Sequence, residues 1–401
     1  MMKKVGLEDL IVRQEGFPYF SRELLKKRQL ELLNAQLHRA KLVSSFYADY
    51  PDGLESLDDL KTLSFITAET LKNNFSKLCL LSPDELARLR TERTSGTSGT
   101  PKRVAYSQYD CERILDFFEN GLGELIYPGD TVLICMQYSD SLSLGGLIAQ
   151  AVSRLGAVPV CAGSGKAFSE YIGISKEKGC NIYIGPPVLL LSLLRLMDEK
   201  DRFARALVSG DHLCDSVKDQ CENLMHSRLF PHYGLRESGL GCALTCSAHE
   251  GLHVRENDVI CEIINENGEA VPDGQWGELV ITTIGLDAMP LFRYRTGDFA
   301  RILPGVCPCG SEVIRIEVTE RMDKGISMGY YENILFDHSE IIDFSITGNT
   351  VTISALAVSE ELKTSVQKLL RGFDIQYRIA SLSDTPMYPD KRRIISNSER
   401  K

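Results

Sequence analysis

Between Thr131 and His232 the sequence switches repeatedly between short apolar runs and helical stretches, and this rhythm narrows the fold more than any other feature. Thr131 to Met136 reads as a buried strand, Ser143 to Leu155 as a helix, Ala157 to Cys161 as a strand and Ala167 to Lys178 as a helix. Asn181 to Ile184 is a strand, and Pro187 to Met197 a strongly apolar helix with proline in its first turn. Ala206 to Val208 is a strand, Asp215 to His226 a helix and Arg228 to His232 a strand. Strands alternating with helices of about 10–15 residues predict βαβ units and a parallel sheet covered on both faces. Such sheets bind ligands beyond the carboxyl ends of their strands. Two stretches occupy that position: Ser209-Gly210-Asp211-His212-Leu213 and Tyr233-Gly234-Leu235-Arg236-Glu237-Ser238.

The flanking segments are different. Ser21 to Tyr47 has leucines at helical spacing, and Ser56 and Thr67 each open a short helix as N-cap with acidic residues behind it. After Leu252 the texture turns to short strands and turns, ending at Arg293-Tyr294-Arg295-Thr296-Gly297-Asp298. Beyond Arg321 the pattern is strand, turn at Gly348-Asn349, strand, helix from Ser359 to Leu370 and strand from Gln376, a small α+β domain. The expected division is a large domain over 1–321, with a β-rich part over about 252–321, and a small mobile domain over 322–401.

A chain of 401 residues has material for two cores. Its net charge of −10 disfavours broad contact with nucleic acid or an anionic membrane. There is no N-terminal apolar leader and no apolar run of about 18 residues, so the expected location is the cytosol. In that reducing setting the 12 cysteines are expected as thiols or metal ligands.

The chemistry starts at Thr94-Ser95-Gly96-Thr97-Ser98-Gly99-Thr100-Pro101-Lys102. Two glycines let the backbone approach a ligand, four hydroxyls preceding the second glycine's neighbour and Thr100 add short donors, and Lys102 adds a point charge. This is a cradle for a polyanion such as nucleotide phosphates. It differs from the GxxxxGK[ST] loop in glycine spacing and in lacking a hydroxyl residue after the lysine. The competing reading is a Ser/Gly-rich linker.

With these motifs in view, the chain resembles the adenylate-forming superfamily of acyl-CoA synthetases, adenylation domains and luciferases, in its phenylacetate–CoA ligase-like branch. The resemblance covers most of the chain. The loop through Lys102 is similar to the family's phosphate-binding signature, and Ser209-Gly210-Asp211 to its Ser-Gly-Gly/Ala-Glu stretch, with Asp211 in place of Glu. Tyr233-Gly234-x-x-Glu237 is similar to the aromatic-Gly-x-Thr/Ser-Glu motif, and Phe292 to Asp298 to the strand that holds the ribose. Pro389-Asp390-Lys391 lies where the family has its catalytic lysine.

The resemblance implies an α/β fold with a mobile C-terminal domain, and ATP, Mg²⁺ and a small carboxylic acid as ligands. By it, Tyr233 covers adenine, Asp298 holds the ribose hydroxyls, Glu237 holds Mg²⁺ and Lys391 stabilises charge during adenylation. Arg321 holds ribose or phosphate, a surface ion pair being the alternative, and Asp323 or Lys324 is the pivot. Arg236 departs from the usual Thr or Ser, and the segment after Arg321 lacks the family's Arg-Gly run. Acyl-adenylate formation is therefore better supported than transfer to CoA or a carrier thiol. Adenylyl transfer that leaves AMP on its acceptor, and a degenerate ATP-binding protein, stay open, as does a homodimer.

Some members of the branch show Cys-x6-His followed by Cys-Pro-Cys-Gly, and Cys246, His253, Cys307 and Cys309 have that spacing. Three thiolates and an imidazole suit a closed structural Zn²⁺ site. His249 competes with His253 for the fourth position.

Overall fold

Ser21 accepts the amide of Leu24 and starts a helix, Arg22–Val43, whose buried stripe runs Leu25, Gln29, Leu33, Leu37 and Ala40. Leu42, by contrast, lies exposed. Gln29 stays in the stripe because its amide donates to the carbonyl of Glu256 at 2.7 Å, which satisfies a buried polar group. These details come from a computed structural model of the chain. It describes residues 6–92, 102–321, 327–388, 392, 394 and 395, without the side chains of residues 90–92, 320 and 321.

By internal contacts the chain forms two units, Met1–Glu124 with His232–Arg321, and Leu125–Pro231 with Met322–Lys401. The cut at 321/322 is where the sequence pattern changes. The expected single domain over 1–321 is divided between the two units, and 322–401 groups with the βαβ segment over 125–231.

In the first unit, helices Leu7–Glu15, Arg22–Val43, Ala68–Leu78 and Gln108–Leu122 accompany two β structures. One is a hairpin of Arg88–Glu92 and Lys102–Tyr106, antiparallel with Glu92 opposite Lys102. The other is the β-rich part, with antiparallel neighbours in the order Val259–Ile264, Gly277–Thr283, Tyr294–Leu303, Arg315–Arg321, Leu252–Val254 and Ala243–Leu244. Burial alternates along Tyr294–Asp298, putting Tyr294, Thr296 and Asp298 on the covered face.

The second unit holds the parallel strands, in the order Val158–Cys161, Thr131–Ile134, Ile182–Gly185, Arg205–Val208 and the start of Phe230–Tyr233. Its second sheet sets Ile341–Thr347 antiparallel to Thr350–Ala355, which runs parallel to Asp374–Ile379. Helix Pro187–Leu196 explains why the two belong together. Leu190, Leu191, Leu193 and Leu194 leave it apolar nearly all round, so covering one face only would leave the other wet. The residues after 327 supply the second cover: Ser192 donates to the carbonyl of Ile342 at 2.7 Å, and Arg195 to that of Phe336 at 2.7 Å. Leu335, Phe336, Ile342 and Phe344 are buried in the same apolar cluster.

Candidate active site and metal cluster

The loop residues Thr94, Ser95, Gly96, Thr97, Ser98, Gly99 and Thr100 lie outside the described residues, as do Lys391 and the hinge candidates Asp323 and Lys324. The remaining candidates fall into one group in each unit.

In the first unit the hairpin strand begins at Lys102, which sets its ammonium 2.7 Å from Oε1 of Glu237. Glu237 sits on the single turn Arg236–Ser238 and its side chain is only 3% exposed. Tyr294 donates its hydroxyl to the same Oε1 at 2.8 Å. Burial alone would push the Glu237 carboxyl up; the Lys102 charge and these two hydrogen bonds outweigh it and hold the carboxyl below its ordinary range. Tyr106, on the strand that starts at Lys102, donates to the carbonyl of Arg236 at 2.6 Å and ties that turn to the hairpin. Arg236, the departure from Thr or Ser, therefore contributes its main chain to the support of Glu237.

Tyr233 ends its strand with the hydroxyl 2.6 Å from Oδ2 of Asp298, and burial, followed by that carboxylate, pushes the phenol well up. The amide of Asp298 donates to Oγ1 of Thr296 at 3.0 Å. Gly234 is required sterically, since a Cβ there would stand 2.0 Å from the carbonyl oxygen of Leu240. Arg321 lies opposite Asp298 in the antiparallel register. Tyr233, Gly234, Glu237, Lys102 and Asp298 are thus gathered in one unit. Tyr294, Tyr106 and Thr296 join them unannounced; for Tyr294 and Thr296 the two-residue spacing from Asp298 was the available signal.

In the second unit Ser209, Gly210 and Asp211 follow strand Arg205–Val208, with the Ser209 amide bonded to the Gly185 carbonyl at 3.0 Å and Gly210 at φ +88°. Oδ2 of Asp211 accepts the backbone amide of Arg392 at 2.8 Å. Arg392 follows Lys391 directly and is buried: its guanidinium donates to Glu332 at 2.6 Å, to Asp343 at 2.6 Å and to the Phe344 carbonyl at 2.8 Å. It also lies over the rings of Phe344 at 4.7 Å and Tyr388 at 4.9 Å. Arg392 is thus a buried ion-pairing residue.

The metal candidates meet in the first unit. Cys246 follows Ala243–Leu244, His253 lies in Leu252–Val254, and Cys307 and Cys309 flank a turn closed by the Gly310 amide on the Cys307 carbonyl at 2.8 Å. Sγ of Cys246 is 3.7 Å from Sγ of Cys307, and Sγ of Cys309 is 3.5 Å from Nε2 of His253. All four ligand atoms lie within 4.8 Å of one another. Zn–S bonds of about 2.3 Å in a tetrahedron give sulfur–sulfur edges of roughly 3.8 Å, so the cluster has the size that ion needs. Desolvation lowers His253 to about 4, keeping its ring neutral as a ligand must be. Of the two candidate histidines, His253 and not His249 stands in this cluster.

Comparison with known proteins agrees with this architecture. The AMP-binding enzyme family matches residues 58–286. Phenylacetate-coenzyme A ligase of Pseudomonas putida is 30% identical over 305 residues, 71% of this chain and 68% of that protein. The enzyme of the same name from Escherichia coli K12 is 28% identical over 287 residues, 68% of this chain and 64% of its own length. A crystal structure of 2-hydroxyisobutyryl-CoA ligase in the postadenylation state superposes with a TM-score of 0.76 at 18% identity, covering 93% of this chain and 89% of the other. Benzoate CoA ligase from Burkholderia xenovorans LB400 shares the fold more distantly, with a TM-score of 0.51 at 16% identity over 73% of this chain and 65% of its own. The chain belongs to the AMP-binding enzyme family and, within the adenylate-forming superfamily, to the phenylacetate–CoA ligase-like branch of acid–thiol ligases.

Proposed function

We propose that the protein activates an aromatic or small organic carboxylic acid with ATP, forming an acyl-adenylate and releasing pyrophosphate, and then passes the acyl group to the thiol of CoA or a carrier protein. The observation that carries this reading is the pairing of Lys102 with the buried Glu237, beside Tyr233 and Asp298 in the same unit. The names of the relatives favour an aromatic acid.

The family resemblance gives each candidate residue a task. Asp298 accepts the ribose hydroxyls, and Tyr233 offers its ring to adenine. By the same resemblance Ser209, Gly210 and Asp211 are assigned to nucleotide binding, and Arg321 to ribose or phosphate. Glu237 would hold Mg²⁺ with the phosphates, as one carboxylate plus substrate oxygens commonly does; the ion would neutralise charge on the departing pyrophosphate. Lys391 meets the charge that develops as the acid's carboxylate oxygen attacks the α-phosphorus and the bond to pyrophosphate breaks. Cys246, His253, Cys307 and Cys309 would hold a Zn²⁺ whose closed shell leaves it a structural part of the β-rich subdomain.

Pyrophosphate exchange into ATP across a panel of aromatic and short-chain acids tests the reading. Acid-dependent exchange is expected, followed by thioester formation when CoA is added. Folded protein that binds no Mg·ATP in calorimetry would refute it, and AMP left covalently on an acceptor would replace it with adenylyl transfer.

A further inference from the structure

Glu237 does not wait for its metal with an open carboxylate. Oε1 is already engaged by the Lys102 ammonium at 2.7 Å and the Tyr294 hydroxyl at 2.8 Å, and the side chains of Lys102 and Glu237 are 16% and 3% exposed. From this we infer that Lys102 is the resident countercharge of the metal site: it occupies Glu237 until a nucleotide arrives, so that neither the divalent cation nor the triphosphate enters this site well alone. The inference rests on the proposed assignment of Glu237 to Mg²⁺ and adds the order in which the charges exchange.

The argument is electrostatic. A carboxylate this deep needs a cation or several donors to remain ionised. A free divalent ion that approaches Glu237 meets the Lys102 ammonium already on Oε1, and must displace it or settle beside a like charge. A metal-free triphosphate meets the opposite difficulty. It gains Lys102 only by drawing it off Glu237, leaving a buried carboxylate facing several phosphate charges. When metal and nucleotide come together, Lys102 passes to the phosphates while the cation takes its place at Glu237, and no buried charge is left alone. Lys102 closes the Thr94–Lys102 loop and starts the strand Lys102–Tyr106. Tyr294 stays on the carboxylate throughout and fixes its orientation.

Two substitutions then act in directions that a simple binding role does not produce. Lys102→Gln removes the resident cation and opens Glu237 to metal, so Mn²⁺ alone, titrated by electron paramagnetic resonance, is expected to bind this variant about 10–100-fold more tightly than wild type. The double variant Lys102→Gln/Glu237→Gln is expected to lose that gain, which locates it at Glu237. Glu237→Gln releases Lys102, so ATP in excess EDTA is expected to bind about 10-fold more tightly than to wild type, although the same change removes the metal ligand. Equal Mn²⁺ affinities in wild type and Lys102→Gln overturn the inference, as does weaker metal-free ATP binding by Glu237→Gln. Circular dichroism identifies a variant that fails to fold, and the other single variant then decides alone. Wild-type protein that ignores Mg·ATP counts against the proposed function, while the Mn²⁺ titration still decides whether Lys102 guards Glu237.

Discussion

Arg392→Met should reveal how much of the second unit depends on one guanidinium. The substitution keeps most of the side chain's apolar bulk between Phe344 and Tyr388 but removes the charge from Glu332 and Asp343, each only 3% exposed in its side chain. Taking one partner from a buried ion pair costs about 3–5 kcal/mol. Asp343 keeps the amides of Phe344 at 2.8 Å and Met387 at 2.7 Å, which argues for the lower end of that range. An abandoned carboxylate can also escape by binding a proton. From an ordinary glutamate value of about 4.3, that escape costs about 3.7 kcal/mol at pH 7 and about 1 kcal/mol at pH 5. The penalty should therefore be near 3–4 kcal/mol at pH 7 and shrink by about 2 kcal/mol or more at pH 5. With roughly 2–4 °C per kcal/mol for a unit of this size, the melting temperature should fall by about 6–16 °C at neutral pH. Calorimetric scans of wild type and Arg392→Met at both pH values measure this. Arg392→Met/Glu332→Gln should recover part of the loss, because it removes one of the stranded charges. A shift under about 2 °C at pH 7, or one that does not shrink at pH 5, would refute the claim that buried charge pairing holds this segment.

Asp298→Asn should raise the KM for ATP about 10-fold or more, whereas Tyr233→Phe, which keeps the ring and removes the hydroxyl that bonds Asp298, should change it less than about threefold; steady-state exchange kinetics separate the two. For Glu237 the folded carboxyl is held below its unfolded value, so its stabilisation is fully present above about pH 4.5 and is lost as pH falls through the folded value. The stability gap between wild type and Glu237→Gln, followed by denaturation from pH 7 down to pH 3, should accordingly close on the acid side. Purified protein should carry about one equivalent of zinc by elemental analysis. Cys309→Ser or prolonged chelation should lower the zinc content and the melting temperature together, while the ATP affinity of protein that stays folded changes little.

The sequence made the elements legible because their signals are local. The βαβ alternation over 131–232 and the cap at Thr67 each need only a few neighbouring residues. The cysteine-histidine spacing carried further, since one short connection joins Cys246 to His253 while Cys307 and Cys309 share a turn. Arg392 was illegible for the opposite reason. In sequence it is the middle of a basic run, the usual mark of a solvated surface, and its two carboxylates lie 60 and 49 residues away. The grouping of 322–401 with 125–231 left one readable trace in helix Pro187–Leu196, whose apolar surface exceeds what a single covering layer can bury.

A common rule connects the candidate carboxylates. Both buried ones in the first unit that the family resemblance turns toward a ligand already have a protein donor: Asp298 has the Tyr233 hydroxyl, and Glu237 has Lys102 and Tyr294. A buried carboxylate without partners would destabilise the fold by more than one such residue contributes to binding, so a site rich in them has to be satisfied before the ligand comes. Ligand binding in such a site is an exchange of partners, and its net free energy is the difference between two well-made sets of interactions. Discrimination follows from that difference. A ligand that supplies only part of the replacement set leaves some buried group stranded and is rejected, even when every contact it does make is favourable.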